Sequence, residues 1–444
     1  MIRFGSCFLE PPTHTVLESV TPVTSVPINS MIPNRDRLLE RFLQYVRIGS
    51  SANPHTSDYP SSRGQWLLGQ LLVEQLKGMG IDDAEQDEHG LVWGTVPATV
   101  DGPVPTILFN AHLDTSPEAP GDRCQPQVIE NYQGGDIPLE SGEVIRFAET
   151  PELSDLIGHT LITTDGRTLL GGDDKAGVAA IMELAHHFME RPNLPHGPIR
   201  ILFTCDEEIG RGAKHFQNYR TKAIAGYTLD GGGEGVLDIE NFSADMATVQ
   251  FRGYNIHPAL GKGRMVNALR AASELVASLP VDRLSPEATD GRDGFIHPYE
   301  ATGSVAQASV QFLLRDFDTG KLKEYGAMIH QLAQKICERN PKLTYECEIV
   351  EQYRNMADHL RSFPIAADLA EQAYAKLGIP CTRGSIRGGT DGAQMTAMGL
   401  PTPNLSVGQY NIHSVKEFAS LDQMARAVQH AIVLAELWQA QGRS

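Results

Sequence analysis

The chain has 444 residues, 41% of them hydrophobic and 21% charged, too long for one ordinary core and too apolar to be disordered. With 37 Lys and Arg against 55 Asp and Glu, the formal charge is −18, which argues against nucleic acid and anionic membrane surfaces as partners because both need basic patches. No apolar run approaches the roughly 18 residues of a membrane span, and the six cysteines (Cys7, Cys124, Cys205, Cys337, Cys347 and Cys381) form no C-x-x-C pair, which fits a reducing cytoplasm.

Residues 1–30 read as a disordered extension, broken by Pro11, Pro12, Pro22 and Pro27, and Met31 stands where a natural start would fall. A first domain spans 31–241. Leu38, Leu39, Phe42, Leu43 and Val46 mark one helix face, and Trp66, Leu67, Leu71, Leu72 and Leu76 another. Leu91–Val96 and Thr106–Phe109 read as strands, the second apolar enough to be central. Residues 117–160, rich in Pro, Gly and acidic groups, read as a long irregular insertion near a site. Leu161–Thr164, Ile199–Thr204 and Gly226–Leu229 are further strands, with a helix at Val178–Phe188. Strands alternating with helices predict an α/β fold, a mixed and mainly parallel sheet with helices on both faces.

The pattern changes near residue 242. Thr248–Phe251, Ser309–Leu314 and Leu343–Ile349 alternate like half-exposed strands, and Met265–Leu279 and Leu322–Cys337 are amphipathic helices. This predicts an inserted α+β domain over 242–352, after which the first domain resumes through 353–444. Ser420 and Gln423 form a capping box before the closing helix.

Five segments carry chemistry, most of them at the end of an apolar strand. In Asn110-Ala111-His112-Leu113-Asp114, His112 and Asp114 point the same way on an extended chain. His112 suits a metal, and Asp114 suits holding its imidazole in one tautomer. In Gly171-Gly172-Asp173-Asp174-Lys175, two adjacent carboxylates at a helix mouth are costly to hold together without a cation, so Asp173 is read as bridging two metals. Asp174 and Lys175 shape the turn or pair with each other. In Cys205-Asp206-Glu207-Glu208, Glu208 is read as a ligand and Glu207 as a general base. Asp230, before three glycines, and His413 complete the set. Alone, each segment has a plainer reading: a helix cap, an acidic helix start, a packed histidine. Together they make two four-coordinate sites, His112–Asp230–Asp173 and Glu208–His413–Asp173, with a water or hydroxide between the metals. His159, His186, His187 and His196 read as ordinary surface residues.

The order H-x-D, G-G-D-D-K-x-G, D-E-E-x-G, D-G-G-G, H resembles the di-zinc aminoacylase and carboxypeptidase superfamily of metallopeptidases. Ile129–Ile137, Leu161–Gly166, Gly212–Phe216 and Ile386–Gln394 resemble its tripeptide aminopeptidases in particular, and the likeness runs from about Asp36 to Trp438. Cys205 stands where a Pro is common, and Gly172 where an Ala is common. The resemblance implies two Zn2+ per subunit on His112, Asp173, Glu208, Asp230 and His413, with Asp114 supporting the histidine and Glu207 accepting the proton. It also makes the inserted domain a lid that carries a homodimer contact. His257 would stabilise the oxyanion, often from the partner subunit, and Arg315 and Arg387 would grip a substrate carboxylate. The expected activity is removal of the N-terminal residue from tripeptides by a metal-bridging hydroxide. The alternatives are a dipeptidase or N-acyl amino-acid deacylase of the same superfamily, or a catalytically silent peptide-binding protein.

Overall fold

The structure, a computed structural model, describes residues 31–442, so the expected extension at 1–30 lies outside the described residues. Twelve strands build the two larger sheets. In chain order they are β1 (Glu85–Gln86), β2 (Val92–Val96), β3 (Ile107–His112), β4 (Ile199–Thr204), β5 (Ala225–Gly231), β6 (Val236–Asn241), β7 (Ser243–Arg252), β8 (Phe295–Gly303), β9 (Gln307–Asp316), β10 (Thr344–Tyr353), β11 (Thr382–Ile386) and β12 (Asn404–Ser406). The main helices are α1 (Arg35–Val46), α2 (Arg63–Gly78), α3 (Gly172–Met189), α4 (Ala268–Ala277), α5 (Thr319–Glu338), α6 (Ile365–Lys376), α7 (Asp391–Ala397) and α8 (Leu421–Gln441).

The main sheet runs β1-β2-β4-β3-β5-β12-β6-β11. Pairing is parallel from β4 through β3 and β5 to β12 and again between β6 and β11; it is antiparallel elsewhere. β3 is central and buried at all six residues. Alternation sends its side chains into two cores. Ile107, Phe109 and Ala111 join the core of α1, α2, α3, α6 and α8, while Leu108 packs on the other side with Trp93 and with Met395 of α7. Both faces are therefore covered, as the alternation of strands and helices predicts.

Local chemistry sets the helix ends. The Asn34 side chain accepts from Arg37 N before α1, and the Ser420 hydroxyl accepts from Gln423 N before α8. A buried Glu183 on α3 takes Arg37 Nε at 2.7 Å and Arg41 Nη1 at 2.8 Å, which locks α1 onto α3.

The inserted unit is an antiparallel sheet in the order β8-β9-β7-β10, covered on one face by α4 and α5. β7 continues β6 after one residue, and β10 leads back toward α6, so both chain crossings lie beside the main sheet's far edge.

Residues 117–160 are a mostly irregular insertion beside the cleft, as expected, but with a small core of their own: Tyr132, Ile137, Leu139, Ile145, Leu153 and Leu156 pack with Phe418. Two sequence expectations change. Leu161–Thr163 is a strand, but of a separate small sheet between Gln127–Ile129 and Phe418–Ser420. His187 and His196 are fully buried rather than at the surface, because α3 is enclosed on nearly all sides and His196 leads directly into β4. No helix among the described residues is long and apolar enough to cross a membrane.

Candidate dinuclear metal site and active-site cleft

The site lies beyond the carboxyl ends of β3, β4 and β5, where ligands of open α/β sheets gather. His112 is the last residue of β3, Glu207 and Glu208 follow β4, and Asp230 is next to last in β5. Asp173 enters from the start of α3. Gly171 before it has φ +77°, and a Cβ there would come within 3.0 Å of Thr115 Cγ2, so glycine is required at this turn. Asp173 and Asp174 themselves are not helical, and the peptide bond between them is cis. His413 has φ +62° in the loop between the short strands Gln409–Tyr410 and Phe418–Ser420. A left-handed histidine is uncommon and persists where surrounding structure fixes it.

Five chain segments, up to 301 residues apart, thus meet. The Asp173 carboxylate faces both imidazoles: Oδ1 lies 2.9 Å from His112 Nε2, and Oδ2 lies 3.4 Å from His413 Nε2. Glu208 Oε2 is 2.9 Å from His413 Nε2, and Asp230 Oδ1 is 3.8 Å from His112 Nε2. The ligand atoms of His112, Asp173 and Glu208 all lie within 4.8 Å of one another.

His112 Nδ1 has the Asp114 backbone carbonyl at 3.1 Å and the Asp114 carboxylate at 3.4 Å. An Nδ1–H pointing there leaves Nε2 for a cation. Asp114 also has a second task that its spacing from His112 does not reveal. Its two oxygens accept the backbone N–H groups of Glu207 and Glu208, both at 3.1 Å, so it ties the end of β4 to the end of β3. Asp174 and Lys175 do not pair. Asp174 accepts from His112 N at 3.1 Å and Gly177 N at 3.1 Å, and Lys175 Nζ donates to Ile48 O at 2.7 Å.

The electrostatics fit dications. Burial pushes the Glu207 and Asp230 carboxyls well above their usual range, and Glu208 up to about 7. His112 and His413 move the other way. Burial opposes their charge, but the carboxylates around them win and raise His413 to about 11. Asp173 goes down instead, held ionised by the two imidazoles beside it, so carboxylates whose charge burial penalises crowd a site that a bound cation would relieve. Glu208 Oε1 is buried with no hydrogen-bond partner among the described residues, as a ligand oxygen would be. Imidazole nitrogen with carboxylate oxygen is a donor set suited to zinc-like ions.

The cluster opens into a cleft of about 1220 Å³ bordered by Asp173, Glu207, Glu208, Asp230 and His413, and by Arg315 and Tyr353 from the inserted unit. Arg315 makes no ion pair among the described residues, and its guanidinium carbon stands 6.0 Å from the centre of the Tyr353 ring. Arg387 is not on the cleft wall. Its Nη1 donates to the carbonyls of Gly291 at 2.7 Å and Asp293 at 3.0 Å, and its guanidinium covers Phe242 at 5.1 Å. His257 is exposed, with Nδ1 accepting from Ala259 N at 3.3 Å, and is not brought to the cluster. Sequence reasoning missed Glu417, Gln409 and Asn404. Glu417 accepts from Gly171 N and Asp173 N, Gln409 Nε2 donates to Asp230 Oδ1 at 3.0 Å, and Asn404 Oδ1 accepts from Asp230 N at 3.2 Å. No local motif marks them, since their partners are 174–246 residues away.

Fold and site together fit a metal-dependent hydrolase. Residues 163–437 match the family described as Peptidase family M20/M25/M40. The chain belongs to that family and is a metal-dependent peptidase. It is 44% identical over 404 residues to Peptidase T of Escherichia fergusonii, covering 90% of this chain and 98% of that protein. In structure it is similar to an aminopeptidase PepT from Bacillus cereus, with a TM-score of 0.70 at 24% identity over 92% of this chain and 100% of the other. It is similar to a tripeptidase from Staphylococcus aureus to the same TM-score of 0.70, at 21% identity and with the same coverage of 92% and 100%.

Proposed function

We propose that the chain removes the N-terminal residue from tripeptides and that Glu207 moves the proton in that reaction. The observation that carries the reading is the Asp173 carboxylate set between His112 and His413, with Glu207 beside it on the cleft wall. His112, Asp230 and Asp173 would hold one divalent ion, and Glu208, His413 and Asp173 the other; zinc suits these donors. When bound, such ions lower the pKa of water and polarise a carbonyl.

The protein's own groups do the rest. Glu207 is held with a raised pKa by burial, so it can take a proton from water and return it to the leaving amine. Asp114 fixes the backbone of Glu207 and so aims its carboxylate. Arg315 offers an uncompensated guanidinium to the carboxylate end of a short peptide, a task a planar fork suits. Likeness to Peptidase T favours tripeptides over the sibling reactions. His257 would act at the oxyanion only from a second copy joined through the inserted unit, which its exposure permits. Five described cysteines, Cys124, Cys205, Cys337, Cys347 and Cys381, are all unpaired, which supports the cytoplasmic reading.

Rates on di-, tri- and tetrapeptides beside N-acyl amino acids, with product identification and metal analysis of the purified protein, test the proposal. Release of the N-terminal residue, fastest from tripeptides, is expected. Equal or faster turnover of dipeptides or acyl amino acids would overturn it. Light-scattering mass with and without His257→Ala tests the dimer.

A further inference from the structure

The inference concerns Asp238, on β6 opposite Asn404 of β12. It is 8% exposed yet borders the cleft. Its Oδ2 accepts from Asn404 Nδ2 at 3.2 Å. The same amide donates to the Asp230 carbonyl at 3.3 Å and accepts from Asp230 N at 3.2 Å. One asparagine side chain therefore sets the distance between the ligand Asp230 and the carboxylate of Asp238. Asp238 Oδ1 has no hydrogen bond or ion pair among the described residues. It lies against Gly384, where a Cβ would come within 2.3 Å of it, so the strand beside Asp238 is kept bare to seat that oxygen.

A carboxylate this enclosed is costly without a cation. Accordingly, burial pushes Asp238 up to about 6. The neighbouring wall offers none: Thr390, Gln394, Ser385 and Asn404 are neutral. The other acids of the rim differ in kind. Glu118 faces His413, Glu234 faces Arg426 at 3.6 Å, and Glu152 and Asp155 are exposed, where water screens them. Arg315 stands on the inserted sheet and Asp238 on the main sheet, so the cleft has a cation on one wall and an unpaired anion on the other. A short free peptide carries the same two charges at its ends.

We propose that Asp238 anchors the α-ammonium group of the substrate and makes a free N-terminus a requirement; this rests on the aminopeptidase reading above. Asn404 places the Asp238 carboxylate one side chain from the Asp230 backbone, on the wall of the same cleft.

The test compares Ala-Ala-Ala with propionyl-Ala-Ala, the same peptide without its amine, on the metal-loaded enzyme. The variants are Asp238→Asn, which removes the charge, and Gly384→Ala, which keeps the charge but displaces it. Wild type is expected to favour the free amine. Each variant is expected to reduce that preference about tenfold or more, chiefly through KM, since one charge-assisted hydrogen bond contributes roughly that factor. Cleavage of both peptides equally by wild type would overturn the aminopeptidase reading and this proposal together, without any variant. Discrimination by wild type that survives unchanged in either folded variant would overturn only the assignment of Asp238.

Discussion

Glu417 accepts the backbone N–H of Asp173 at 3.0 Å with one carboxylate oxygen and that of Gly171 at 2.8 Å with the other. The two amides flank Gly172, so one buried side chain clamps the turn that presents the Asp173 carboxylate. Outer groups that orient ligands usually change metal affinity by about 10–100-fold. Glu417→Gln puts an NH2 against one of these N–H donors, a contact that cannot be satisfied. Titration calorimetry against a competing chelator should show metal binding weakened by roughly that range. An affinity equal to wild type would show that the turn holds Asp173 without Glu417.

Glu207 is unlike its neighbour. Glu208 Oε2 lies 2.9 Å from His413 Nε2, while the Glu207 side chain makes no hydrogen bond among the described residues and borders the open cleft. Removing a general base costs about 10²–10⁴-fold in rate. Glu207→Gln should therefore lose turnover in that range and still bind two equivalents of metal. Glu208→Gln should lose one equivalent. Steady-state kinetics with elemental analysis separates these outcomes, and near-normal turnover of Glu207→Gln would remove it from the proton path.

The candidate metal cluster was legible because His112, Glu208 and Asp230 stand at or just past the ends of apolar strands and Asp173 at the start of a helix, so that several polar groups recur at one end of the sheet that the strand–helix alternation announces. His413 sits in a loop, and its place in the set came from the order of the motifs rather than from a strand end. Glu417, Gln409, Asn404 and Asp238 were not visible. Their significance comes from partners on distant strands, and an isolated Glu or Asn carries no period or spacing. Burial of His187 was equally hidden, because α3 is enclosed on nearly all sides and so shows little amphipathic contrast.

Arg387 braces the junction of the two units. Its Nη atoms reach the carbonyls of Gly291, Asp293 and Thr289, and the guanidinium lies over Phe242 and Phe295 at 5.1 and 6.0 Å. Arg387→Ala should cost about 1–2 kcal/mol in stability, allowing for partial exposure of these bonds. It should also change kcat and KM together, as loosening a hinge does. Chemical denaturation and kinetics on tripeptides check both. A pure rise in KM with unchanged stability would instead place Arg387 on the substrate carboxylate.

His430 gives a pH dependence separable from the metal site. It is buried on α8, its Nε2–H donates to Ala370 O at 2.8 Å, and its ring stacks on Tyr374 at 3.7 Å. Burial lowers its pKa from 6.5 to about 4. Between those values the unfolded chain binds a proton that the folded chain refuses, so stability rises with pH through this window. The contribution is complete above 6.5 and is lost as pH falls toward 4. A shift of this size corresponds to about 3 kcal/mol. Asp391 and Asp238, each pushed by burial up to about 6, act in the opposite direction, since they are easier to bury when protonated. The measurement is therefore a difference: urea unfolding of wild type and His430→Gln at several pH values. The glutamine keeps an N–H donor and never takes up a proton, so the advantage of wild type over the variant should shrink by about 3 kcal/mol from pH 6.5 to 4. A difference that does not vary with pH would mean that the imidazole is charged in the core.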